Sequence, residues 1–367
     1  MQNPKTIQTF CNEQLNIILT DISRGKKHAT RIHGASGIGK TAIIKQLVVN
    51  LSAHTGNEWG FETINCANHS AVDLTGVPTI VDGKTVFAPP EFLPDLSAPN
   101  TPQFGILFID EIDKAKGDMI NAILPLIYEG VCVGYVLPTG WFIFTAQNRT
   151  IDKAGSTNVT NTANVRRAVD IGVYACPDEL VSYAEASGWR PEIASFLTFR
   201  PELVHEFPNG IDAQQAKTRT GFACPATWEL TNDFLHYGLA PEVLRAYLAD
   251  GVLGEAVAVE FCTFLKIIET LPNWKLIFSD GYVEPPTDVA VKCALIGVLA
   301  HHCVNLITET QEERSRIFAQ VIDYCHDHLD PAFGAIFVRR ATAKCPDLID
   351  TKAYLSYKNA NQDSFIG

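Results

Sequence analysis

The run Gly34-Ala35-Ser36-Gly37-Ile38-Gly39-Lys40-Thr41 constrains this chain more than any other feature. A glycine, four residues and then Gly-Lys-Thr lie between a β-rich stretch, Ala29 to His33, and a helical one, Ala42 to Leu51. Between a strand and a helix, such a loop turns successive backbone N–H groups inward, and the helix N-terminus adds positive potential, so the feature is fitted to hold phosphate. The expected cradle comprises Gly34, Ala35, Ser36, Gly37, Ile38, Gly39, Lys40, Thr41 and Ala42. Lys40 is placed to neutralise a γ-phosphate, and the Thr41 hydroxyl to offer a ligand to magnesium.

Further short β-rich runs follow at Phe61 to Cys66, Ile106 to Ile109, Trp141 to Ala146 and Ala168 to Val173, with helical stretches between them. That alternation predicts an α/β fold with a parallel sheet wrapped by helices. Beyond Asp178 the apolar spacing becomes three and four, as in Phe261, Phe264, Leu265 and Ile268, and prolines at 191, 225 and 241 stand where helices begin. The expected organisation is a nucleotide-binding α/β domain over 1–175, a helical lid over 176–250 and a helical C-terminal region over 251–367. Between the second and third strands, Asp82-Gly83 flanked by β-branched residues predicts a tight hairpin inserted in the pattern.

The third run continues as Asp110-Glu111-Ile112-Asp113, which puts acids where an open parallel sheet gathers its catalytic groups. Asp110 is expected to serve the magnesium shell and Glu111 to polarise the attacking water, whereas Asp113 is expected to cap the helix through Met119 to Ile127. The fourth run delivers Asn148 to the same edge, where an amide can orient the water. Arg166 and Arg167, just before the fifth run, are candidates for stabilising transition-state charge.

Bulk properties narrow the partners. A hydrophobic fraction of 46% with 19% charged residues, over 367 residues, suits a folded chain of two or three units. The net charge of -12 opposes a phosphate backbone and argues against nucleic acid as the main partner. Ten cysteines are scattered singly and read as buried thiols in a reducing compartment. No signal peptide or membrane span is evident, which points to the cytoplasm. His301-His302 and His326-Asp327-His328 read as packed or surface histidines rather than metal ligands.

The ordered set of phosphate loop, Ile-Asp-Glu-Ile strand, Asn148 and strand-preceding arginine resembles the AAA+ ATPases. Asp73 to Pro78, Pro89 to Pro94, Gly134 to Trp141 and Gln147-Asn148-Arg149 resemble their MoxR-like branch, as found in compact proteins of bacteria and phages. The resemblance implies ATP and Mg2+ as cofactors and a homo-oligomeric ring, usually of six subunits, with ATP at each boundary. By motif, Lys40 and Thr41 take the Walker A roles, Asp110 and Glu111 the Walker B roles, Asn148 that of sensor 1, and Arg167 that of a finger reaching a neighbour's site, with Arg166 as its rival. The hairpin at Asp82-Gly83 and the loop from Tyr128 to Leu137 become elements that pass hydrolysis to a client protein. One departure stands out: where the family's lid commonly reads Thr-Pro-Arg-Ser-Trp, this chain has Cys224-Pro225-Ala226-Thr227-Trp228, so a sensing arginine is replaced by Ala226. Lys217 and Arg219 are the nearest substitutes. The expected function is ATP-driven remodelling of a client protein. The alternatives are a weakly hydrolysing nucleotide-gated scaffold and a nucleic-acid-associated motor or restriction partner.

Overall fold

The computed structural model describes residues 4–149, 168–207, 220–279, 283–305 and 311–361. Two compact units are present, one of Met1–Ala175 with Phe207–Thr218, the other of Cys176–Glu206 with Arg219–Gly367.

The first unit is built on a six-stranded parallel sheet. Its strands are β1 (Lys5–Thr6), β2 (Ala29–Gly34), β3 (Trp59–Asn65), β6 (Phe104–Asp110), β9 (Trp141–Asn148) and β10 (Ala168–Tyr174), in the spatial order β1-β10-β2-β9-β6-β3. Both faces are covered, which explains why β6 and β9 read as long apolar runs rather than alternating ones. On one face Ile32, Ile106, Phe108, Phe142 and Phe144 meet Phe10 and Ile18 of α1 (Ile7–Arg24) and Ile44, Leu47 and Leu51 of α2 (Lys40–Thr55). On the other, Leu107, Ile109 and Ile143 meet Met119, Ile123 and Leu126 of a helix at Gly117–Glu129. The edge strand β1 has no sequence pattern to announce it, because two residues carry no periodicity; it is held by pairing with Val173 and Tyr174.

Two antiparallel hairpins interrupt the alternation. The first pairs β4 (Val77–Val81) with β5 (Lys84–Ala88) through Asp82 and Gly83, both at positive φ, as the Asp-Gly signal requires. All ten strand residues are exposed. The second pairs β7 (Val131–Cys132) with β8 (Tyr135–Val136), so the stretch expected as a loop contains a short ladder. The Tyr135 hydroxyl anchors it by donating to Pro94 O at 2.8 Å.

Among the described residues, the second unit has helices and no strand. Prolines 191, 225 and 241 each occupy a first-turn position, where the missing N–H costs nothing. One cluster centres on Phe196, Trp228, Phe261 and Phe264, with the Trp228 indole donating to Leu203 O at 2.8 Å. Arg340, 6% exposed, is tied to Glu185 at 2.9 Å and donates to Ala194 O and Thr198 Oγ1, each at 2.6 Å. A buried guanidinium costs several kcal/mol unless paired and hydrogen-bonded, and this one is both.

Candidate functional site

Strand register brings the expected residues to one edge. Gly34 ends β2 opposite Asn148 of β9, and Asp110 ends β6 opposite Asn65 of β3. Between β2 and α2 the chain turns through Gly37 at φ 74° and Gly39 at φ 96°. Side chains with a Cβ rarely adopt such angles, so glycine is required for the loop to close. Gly34 is constrained by space instead, since an added Cβ would lie 2.8 Å from Val173 O. Gly39 caps α2 without a side-chain acceptor, and no acidic residue stands in the first turn. The leading amides of α2 therefore meet no side-chain acceptor from the cap residue and no acid of their own turn, the condition in which a helix N-terminus can receive an anion.

The Lys40 ammonium donates to Gly34 O at 3.1 Å, Ala35 O at 2.8 Å and Asn148 Oδ1 at 3.0 Å. Thr41 Oγ1 donates to Asp110 Oδ2 at 2.9 Å, and the Glu111 amide donates to Asp110 Oδ1 at 2.8 Å. Direct hydrogen bonds thus join Lys40 to Asn148 and, from the next residue, Thr41 to Asp110. Glu111 has the left-handed φ of 53°, uncommon for a residue with a long side chain, and its carboxylate is ion-paired with Lys114.

Asp113 departs from expectation. The helix it was expected to cap begins at Gly117 with Lys116 as its N-cap, while Asp113 lies in a single turn over Ile112–Lys114. Its Oδ1 accepts from the Asn148 amide at 3.4 Å, tying β9 to the acidic turn. Cys66, whose amide donates to Asp110 O, registers the charge gathered here. Burial, then the carboxylates of Asp110, Asp113 and Glu111, push its thiol up to about 12.

Three polar residues beside the loop, His33, Arg31 and Asp170, were not singled out in the sequence. His33 Nδ1 lies 3.0 Å from Asp170 Oδ1, and Arg31 Nε, on a 5% exposed residue, lies 3.5 Å from the same oxygen. Burial alone would raise the Asp170 carboxyl; the hydrogen bond and charge of His33, with the charge of Arg31, hold it below its ordinary value. Strand pairing of β2 with β10 could have suggested this contact, because Arg31 and Asp170 are direct register partners.

Arg166, Arg167, Lys217 and Arg219 lie outside the described residues. Ala226 is exposed in the first turn of the helix Pro225–His236. His302 stacks on Phe278 at 4.8 Å and meets Trp274 edge-on, and His328 packs against Tyr324. Among the described residues no group of three His, Cys, Asp or Glu side chains could hold a metal, and no helix is long and apolar enough to cross a membrane.

Along the chain the parts follow one order: a glycine loop after β2, acids ending β6 and an amide ending β9. Residues 31–167 match the AAA domain of the dynein-related subfamily. The match to this AAA domain runs from the loop-bearing strand to the arginine pair, and the parallel sheet with its helical continuation is the AAA+ P-loop fold. Similar solved structures include the RuvB Holliday junction branch migration motor of Thermotoga maritima, at 13% identity and a TM-score of 0.36, covering 80% of this chain and 81% of that one. NtrX from Brucella abortus in complex with ADP is similar at 15% identity and a TM-score of 0.37, covering 97% of this chain and 69% of that one. Comparison with curated proteins finds no match.

Proposed function

We propose that the chain binds ATP with magnesium and hydrolyses it, in a ring of like subunits of MoxR type, to remodel or activate a client protein. One observation carries the reading: Lys40 and Thr41 of the glycine loop are hydrogen-bonded to Asn148 and Asp110, groups delivered by two other strands. Such convergence suits a triphosphate lying on the leading amides of α2. Thr41 Oγ1 and Asp110 are hard oxygen donors that fit magnesium, an ion that keeps waters and phosphate oxygens in its remaining positions. Bound there, the ion would neutralise charge shared between the β- and γ-phosphates.

The protein groups divide the work. The amides and Lys40 hold and orient the phosphates, Asn148 orients the water, and Glu111 draws its proton once it parts from Lys114. Arg167, or its rival Arg166, supplies positive charge from a neighbouring subunit, which makes turnover depend on assembly. The lid over 176–250, the C-terminal region over 251–367, adenine as the base and a cytoplasmic location belong to this same reading. Steady-state phosphate release tests it: the wild type should turn over with magnesium, and Glu111→Gln should lose about a hundredfold or more.

A second reading, a nucleotide-gated scaffold with little turnover, is favoured by Ala226 in place of the lid arginine. Turnover that does not depend on Glu111 would support the scaffold over the motor. The acidic balance of -12 weighs against a nucleic-acid motor.

A further inference from the structure

Within the helical unit, the helices Pro225–His236, Pro241–Tyr247 and Glu255–Glu269 enclose an open groove of about 630 Å³. Its floor is apolar and only half buried, formed by Phe234, Leu235, Leu239, Leu265 and Ile268. Half-buried apolar groups gathered in a concavity retain free energy that a partner can release by covering them. Tyr247 stacks on Phe234 at 5.4 Å and Tyr237 meets it edge-on at 5.7 Å, yet they remain 55% and 66% exposed. Rigid, amphipathic rings in such a position are the side chains that most often anchor protein interfaces. One wall runs into a π-helical turn, Leu248–Val252, an element commonly found at functional sites.

Charge identifies the occupant. Around the groove Arg190 is paired with Glu192 and Arg245 with Glu255. Glu242, Asp250 and Glu269 make no ion pair among the described residues, and Lys266 is the one further lining cation, so the rim is acidic. We propose that this groove docks an amphipathic helix of a partner protein, its apolar face on Leu265 and Phe234 and its flanking lysines or arginines against Glu242, Asp250 and Glu269. An acidic rim around an apolar floor selects a basic helix and repels an acidic one. The groove lies wholly in the second unit, and the proposal does not depend on hydrolysis at the loop.

The test uses the full chain and a fluorescein-labelled peptide of about 18 residues, with leucines at positions i, i+3, i+4 and i+7 and lysines elsewhere, followed by anisotropy. Saturable binding in the micromolar range is expected, at least about tenfold weaker for the same peptide with glutamates in place of lysines. The double variant Glu242→Lys, Glu269→Lys, which alters exposed residues only, should weaken the lysine peptide about tenfold, and Leu265→Arg should do so where circular dichroism shows an intact fold. The pair Glu58→Lys, Glu129→Lys, which belongs to the first unit and makes the same change of charge, should leave binding unchanged. Equal weakening by that first-unit pair, equal binding of both peptides, or no saturable binding would overturn the proposal. So would concentration-dependent self-association lost in the groove variants, which would make a second copy of this chain the occupant.

Discussion

Thr41 Oγ1 donates a 2.9 Å hydrogen bond to Asp110 Oδ2 across 69 residues of sequence, joining the start of one helix to the tip of a strand two places away in the sheet. The hydroxyl and carboxylate are thereby held as two oxygen donors on one side of the loop. Removing one donor should matter only when the cation is present. Thr41→Ala is therefore expected to weaken ATP binding about tenfold with magnesium and to leave it unchanged in EDTA. Titrations under both conditions check this, and an equal loss in both would remove the metal from the account of Thr41.

The trans role given to Arg167 predicts complementation. Arg167→Ala and Glu111→Gln should each bind nucleotide and each turn over poorly, by about a thousandfold for the arginine. Mixed rings place a sound Glu111 beside a sound Arg167, so turnover should partly return on mixing. Phosphate release by the mixture measures it, and no recovery from co-assembled subunits would place the arginine in cis or elsewhere.

Trp141 packs where two glycines leave room. Gly60 and Gly105 are register partners, and a Cβ on either would come within 2.6–2.7 Å of the Trp141 ring, which is 1% exposed. Gly105→Ala should cost about 1–3 kcal/mol and lower the thermal midpoint by several degrees. Gly117→Ala, where nothing lies within 4 Å, should leave the midpoint in place. Calorimetry of the pair checks the packing.

Asp170 supplies a pH dependence with a definite sign. Its folded value lies below the ordinary carboxylate value, so its contribution to stability is complete above about pH 4 and is lost as pH falls through the lowered folded value. Asp170→Asn should be less stable than the wild type at about pH 6, with the difference shrinking toward about pH 3. Urea midpoints at the two pH values decide it; a constant difference would mean that the carboxylate charge is not what the asparagine lacks.

The centre of the sheet was legible because β6 and β9 are buried on both faces and carry long apolar runs, whereas β2, with Thr30, Arg31 and His33, was legible from the glycine loop that follows it. The phosphate loop and the acids of β6 were legible because their chemistry demands particular residues at fixed spacing. The contacts were less so. Lys40 meets Asn148 across 108 residues and His33 meets Asp170 across 137, distances over which only the strand order decides who touches whom. Asp113 was misplaced because its spacing to the helix fits a cap, while the intervening turn at Ile112–Lys114 turns it toward β9 instead. The pairing of Glu111 with Lys114 follows from that same turn, which has no periodicity to reveal it.

Everything proposed for catalysis rests on a triphosphate lying on the loop between β2 and α2. Equilibrium titration of the full chain with fluorescent ATP and magnesium tests that most directly. Saturable binding near one nucleotide per chain, lost in Lys40→Ala while that variant keeps its fold, is the predicted result. Folded wild-type protein that takes up no nucleotide, or a Lys40→Ala variant that binds as well as the wild type, would contradict it.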